Sequence, residues 1–317
     1  MALNHKPGVS RTTREQVLEL ARRYEYNLPQ REYRQIQEKE GTICFAIYKK
    51  SGAVVSDTPF FSNLSEGISE GCKLENYALT IAYIYEYNDI TLQIKELVDS
   101  NYSGIILLAT EMQQSDIKPF LEIDTPLLIL DSYFETIPRN TVIINNKQGA
   151  FAATDYLISR CKSQPGYLRS AYPIGNFEER ADGFYKAIRA NGMSTSKSIV
   201  HRLAPSEDGA YADMKQFIQS GEELARCYFA DNDHIAIGVI TALKEAGYRI
   251  PEDISIIGFD DLPQCNCMVP RLTTIQVPKR HMGKLAARQL ITSIEEHSHT
   301  TTKTEINTLL IKRHSTL

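Results

Sequence analysis

No run in this sequence approaches the roughly 18 apolar residues of a membrane span. Its first residues, MALNHKPGVSRTTREQ, lack the apolar stretch of a secretory leader. A net charge of −4 excludes a chain-wide basic signal for nucleic acid, so any such site must be local. The six cysteines lie mostly in apolar runs, and Cys265-x-Cys267 has no second ligand pair at a zinc-like spacing. The expectation is therefore reduced thiols in a cytoplasmic protein with no metal site. No GxGxxG follows a strand and no GxxxxGK[ST] is present, so dinucleotides and nucleoside triphosphates lack their usual phosphate cradle. The GxSxG string Gly67-Ile68-Ser69-Glu70-Gly71 falls inside the helix expected between the first two strands and not at a strand-to-helix elbow, and there is no HExxH and no nucleophile–base–orienter set. Nothing argues for an enzyme or a cofactor.

What is present is an α/β alternation from Gly41 onward, on a chain of 317 residues that is long enough for more than one domain. Apolar runs at Thr42–Tyr48, Tyr77–Tyr85, Ile105–Ala109, Pro126–Leu130 and Val142–Asn145 read as strands, with helices between them. A short helix is expected at Ser115–Ile123. A second series follows, with strands at Tyr167–Ala171, Ile199–Leu203, Cys227–Ala230, Ile254–Phe259 and Thr273–Val277. A polar linker at Thr300–Thr304 then precedes a final edge strand at Ile306–Ile311. The predicted architecture is two doubly wound parallel-sheet lobes. In such sheets ligands sit beyond the carboxyl ends of the strands, where Asn232 and Asp260 both fall. Asp231 or Asn232 also suits the N-cap of the following helix.

Residues Lys6 to Ile36 differ from the rest. Seven Lys or Arg stand against four Glu, a local positive excess on an acidic chain. An amphipathic helix is expected near 10–24, stopped by Pro29, and it is too short to be a domain by itself.

Several segments together resemble the LacI/GalR family of bacterial transcription regulators: KPGVSRTTREQVLELA (6–21), PFFSNLSEGI (59–68), TPLLILD (125–131), ERADGFYKAI (179–188), YFADNDHIAIGVITALKEAGYRIPEDISIIGFDD (228–261) and PRLTTIQVPKRHMG (270–283). They run in the family's order over nearly the whole chain. The resemblance implies a periplasmic-binding-protein-like type I core with an effector held between two lobes, and a homodimer. It implies three segments: a partial helix-turn-helix and hinge at 1–40, a first lobe from 41–145 plus 270–297, and a second from 146–269 plus 298–317. By position, Arg180 is similar to the Arg that clamps effector oxygens, a task suited to a planar guanidinium. Asp260 is similar to the Asp that accepts from effector hydroxyls. Asn232, Phe60, Phe61 and Asp131 match cleft positions, the two rings being suited to stacking on a sugar face.

The departures also carry expectations. Family members usually open with two further helices, the second being the recognition helix in the major groove. Here the match begins at the loop before the third, so base readout is expected to need residues beyond this chain. In the hinge, Arg34 and Ile36 stand as the DNA-contacting candidates, Ile36 as a minor-groove wedge. Asn145 occupies a place where Asp is common. The functional expectation is an operator-binding repressor that senses a sugar; the alternative is a solute-binding protein of a sugar importer. A purine effector is disfavoured, because Ile174–Asn176 offer no cationic contact to a base edge.

Overall fold

The computed structural model describes residues 12, 13, 16, 17, 40–55 and 59–317. Thr12, Thr13, Gln16 and Val17 are helical; Arg34, Ile36 and the hinge lie outside the described residues. The chain divides into two units, 1–38 and 39–317, and the second carries both lobes.

The first sheet is built from β1 (Gly41–Lys49), β2 (Tyr77–Tyr85), β3 (Gly104–Leu108), β4 (Leu127–Leu130) and β5 (Asn140–Ile144). Two helices cross between its strands: α1 (Pro59–Leu74) and α2 (Ile90–Asp99). Asp89 caps α2 by accepting from the Thr91 and Leu92 N–H groups. The strands β3 and β4 are uniformly buried, as expected of parallel strands covered on both faces. Between them the expected helix at Ser115–Ile123 is only a 3-10 turn, Lys118–Glu122, with Pro119 in its first turn.

The chain then crosses to the second lobe. Here α3 (Asn146–Cys161) begins at Asn145, whose side chain accepts from the Gln148 N–H at 3.1 Å. Beyond it run β6 (Gly166–Ser170), α4 (Gly175–Ala190), β7 (Val200–Leu203), α5 (Glu207–Gln219), β8 (Cys227–Ala230), α6 (Asp233–Glu245), β9 (Ser255–Asp260) and β10 (Thr273–Gln276). Helix α7 (Lys279–Glu295) returns to the first lobe and packs along α1. That contact is close: a Cβ on Gly67 would meet the Arg280 carbonyl and one on Gly283 the Leu64 carbonyl. Strands β11 (Lys303–Ile306) and β12 (Leu309–Ile311) complete the chain.

The sheet orders are β11-β5-β4-β3-β1-β2 and β12-β10-β9-β8-β6-β7. All pairings are parallel except that of β12 with β10. Two doubly wound lobes are thus present, as expected, but the C-terminal boundaries divide differently. In 270–297, β10 pairs with β9 in the second sheet, and only α7 packs on the first lobe. In 298–317, β11 pairs with β5 in the first sheet. The expected linker at Thr300–Thr304 therefore runs into a strand, and the expected single edge strand is two strands in different sheets. The reason is local: β11 alternates exposed and half-buried residues and reads as polar. Strand pattern does not encode which sheet an edge strand joins.

Candidate functional site

The second lobe contributes the ends of β8 and β9. Asp260 closes β9 with φ 112°, Asp261 follows at φ 55°, and Asp131 at the end of β4 has φ 63°. Non-glycine residues rarely hold this region, and such strain clusters at ligand sites. Beyond β8, the Asn232 Oδ1 caps α6 by accepting from the Ile235 N–H at 2.9 Å, while its Nδ2 donates to the Pro205 carbonyl at 3.4 Å. Of the two expected cap residues it is Asn232 that serves; Asp231 is buried, taking the Ser170 N–H at 2.6 Å and the Tyr167 hydroxyl.

Arg180, on α4, is only 3% exposed. Its Nε donates to Asn146 Oδ1 at 2.9 Å, one terminal nitrogen donates to the Asp231 carbonyl at 2.5 Å and the other to Asp260 Oδ1 at 3.3 Å. The guanidinium lies 3.7 Å over the Phe259 ring. These bonds leave one N–H on each terminal nitrogen for a ligand.

From the first lobe come Asp131, Phe60 and Phe61. Asp131 accepts from the Thr110 hydroxyl at 2.7 Å and from Asn176 Nδ2 at 3.1 Å, the second bond crossing between lobes. Burial pushes its carboxyl up to about 6, against the pull of Thr110 and Arg180. Phe60 and Phe61 open α1 edge to face, centroids 5.0 Å apart. All six candidates converge on one cavity of about 430 Å³ between the lobes, a size ordinary for small-molecule sites.

Sequence reading missed several of its walls. Asn176 and Asn146 tie Arg180 and Asp131 together, yet read as ordinary helix-start residues. Ser206, Glu207 and Asp208 at the start of α5, and His234 at the start of α6, also line it. Ala53 and Val54 reach it from the loop after β1, a loop held by the buried carboxylate of Glu111. The rule that ligands sit beyond strand ends could have flagged Thr110, Glu111 and Lys50–Val55, which follow β3 and β1.

Below the cavity floor Asp233 is buried and accepts from the Leu262 N–H at 2.8 Å, the Thr274 hydroxyl at 2.5 Å and the Cys265 thiol at 3.1 Å. Burial, with Asp260 nearby, pushes its carboxyl up to about 7 from the ordinary 3.8. A carboxyl raised on folding binds more protons folded than unfolded between those two values. Its contribution to stability is thus favourable at low pH and falls as pH rises toward 7. Urea unfolding at pH 5 and pH 7.5 should show a shallower loss of stability with rising pH in Asp233→Asn than in the parent chain. An identical slope in both would rule Asp233 out as a source of that loss.

Two α/β lobes with polar and aromatic groups meeting in a cleft define a ligand-binding domain. The chain belongs to the periplasmic binding protein-like domain family, whose pattern matches residues 154–316. It is 29% identical over 259 residues to the HTH-type transcriptional repressor PurR of Vibrio atlanticus, covering 80% of this chain and 76% of that one. To the NTD biosynthesis operon regulator NtdR of Bacillus subtilis it is 27% identical over 320 residues, 99% and 94% of the two chains. A solved LacI family transcriptional regulator from Enterococcus faecium with bound ribose superposes with a TM-score of 0.74 at 26% identity, covering 87% of this chain and 98% of that one. The resemblance to LacI/GalR regulators is borne out. Among the described residues no helix is long and apolar enough to cross a membrane.

Proposed function

We propose that this protein is a ligand-responsive transcriptional regulator of the repressor type, cytoplasmic and homodimeric, that binds operator DNA and senses a sugar in the cleft between its lobes. It is not an enzyme on this reading. The observation that carries it is the convergence of Phe60, Phe61, Asp131, Arg180, Asn232 and Asp260, from both lobes, on one cavity. Aromatic faces beside hydrogen-bonding carboxylates and a guanidinium suit the apolar and hydroxylated sides of a sugar ring. A ligand touching both lobes favours their closed arrangement, and a shift between arrangements is what a linked DNA head can read.

The test is a thermal-shift screen against sugars, sugar phosphates and nucleosides. Ligand at a hundred times its Kd adds about 2.7 kcal/mol of stability. Asp260→Asn and Phe61→Ala should each abolish most of the shift. Shifts undiminished in both variants would sink the site assignment.

A further inference from the structure

The cavity's charges are unbalanced, and the imbalance bears on the effector. Four lining residues are carboxylates: Asp131, Asp260, Glu207 and Asp208. Among the lining residues Arg180 is the one Lys or Arg side chain, and it is already tied to Asp260, Asn146 and the Asp231 carbonyl. Lys279 lies behind the lining; its ammonium donates to the Asp260 and Asp261 carbonyls and sits 5.5 Å from the Phe60 centroid. His234 is the remaining titratable lining residue.

Glu207 and Asp208 sharpen the point. They form the first turn of α5, whose cap, Ser206, also lines the cavity. The positive end of a helix is a ready-made site for anions, and two carboxylates there cancel it. Neither makes a salt bridge or a side-chain hydrogen bond to another described residue. Both line the cavity while remaining exposed to solvent, so their field on a ligand is negative but open to screening by salt. The cavity therefore has cations committed to the protein and carboxylates available to a ligand.

We propose that the effector is a polyol bearing a cationic amine, an amino sugar rather than a sugar acid or a sugar phosphate. This rests on the sugar-sensing reading above and specifies its ligand. The hydroxyls meet Asp260 and the free N–H groups of Arg180, the ring stacks on Phe61, and the ammonium faces Glu207 and Asp208.

Calorimetric titration of the full chain at pH 7 tests it, with two matched sets: glucose, glucosamine, glucuronate and glucose 6-phosphate, and their galactose counterparts. In any set that binds, the amine should be tightest and the acid and phosphate weakest, with about tenfold or more between the extremes, as for exchanging an opposite-charge contact for a like-charge one. Salt at 0.3 M should narrow the gap by screening, and so should the Glu207→Gln/Asp208→Asn double variant. An acid or phosphate bound more tightly than its amine, or an amine preference unchanged in the double variant, overturns the proposal. Neutral sugars bound in preference to their amines overturn it too, but leave the sugar-sensing reading standing. Binding by nucleosides and by none of the sugars removes that reading itself.

Discussion

Glu111→Gln should lose on the order of 3–5 kcal/mol of stability and most of the effector-induced thermal shift. Glu111 is 2% exposed. Its Oε2 accepts from the backbone N–H groups of Lys50, Ser51 and Gly52 at 2.9, 3.1 and 3.1 Å. Its Oε1 accepts from those of Val54 and Val55 at 2.8 and 2.9 Å. Five backbone donors thus point at one carboxylate, in a loop that turns through Gly52 at φ 69°. Glutamine has the same shape but only one accepting oxygen, and its amide would face two or three N–H groups as a donor. Each buried donor left without an acceptor costs about 1–3 kcal/mol. The loop carries Ala53 and Val54 into the cavity wall, so its release also removes contacts to the ligand. Urea unfolding should show a lower midpoint at unchanged slope. A loss below about 1 kcal/mol would mean that the Lys50 ion pairs with Asp116 and Glu86, at 2.8 and 3.0 Å, hold the loop by themselves.

Glu111 also marks where the sequence stops being informative. The alternation of apolar runs and amphipathic helices was enough to place most strands and the two-lobe architecture, because buried parallel strands such as Ile105–Leu108 are written as unbroken apolar runs. Asn232 and Asp260 were legible because they end such strands, while Asp131, which also ends one, entered through family resemblance. Arg180, Phe60 and Phe61 were placed through family resemblance, since a helical Arg beside Glu178 and Glu179 has an ordinary solvated reading. Glu111 follows a strand as well, but its role is to collect donors from a loop about sixty residues away, and nothing local announces that. The same holds for Asn146 and Asn176, whose partners lie across the lobe boundary or on neighbouring helices. Register between sheets was illegible for the same reason: β11 and β12 are adjacent in the chain but pair in different sheets. Long-range pairing is settled by which edge is vacant, not by the composition of the strand.

Arg180→Met should cost about 3–5 kcal/mol, the penalty for removing one member of a buried charged pair. Methionine keeps most of the volume and the contact with Phe259, so packing loss is small. What is lost is polar. Asn146 Oδ1, the Asp231 carbonyl and Asp260 Oδ1 would each lose a donor. Burial already holds the Asp260 carboxyl above its usual range, with Arg180 and then Lys279 opposing that rise. Without Arg180 it should move further up, so that the variant binds a proton at Asp260 at higher pH than the parent does. Adding Asp260→Asn to Arg180→Met should therefore recover part of the loss, because the uncompensated charge is gone; a coupling of about 1–3 kcal/mol is expected from the double-mutant cycle. Urea unfolding of the four proteins measures it. Additive losses would show that Asp260 and Arg180 do not depend on each other, and the charge balance assigned to the cavity floor would then be wrong.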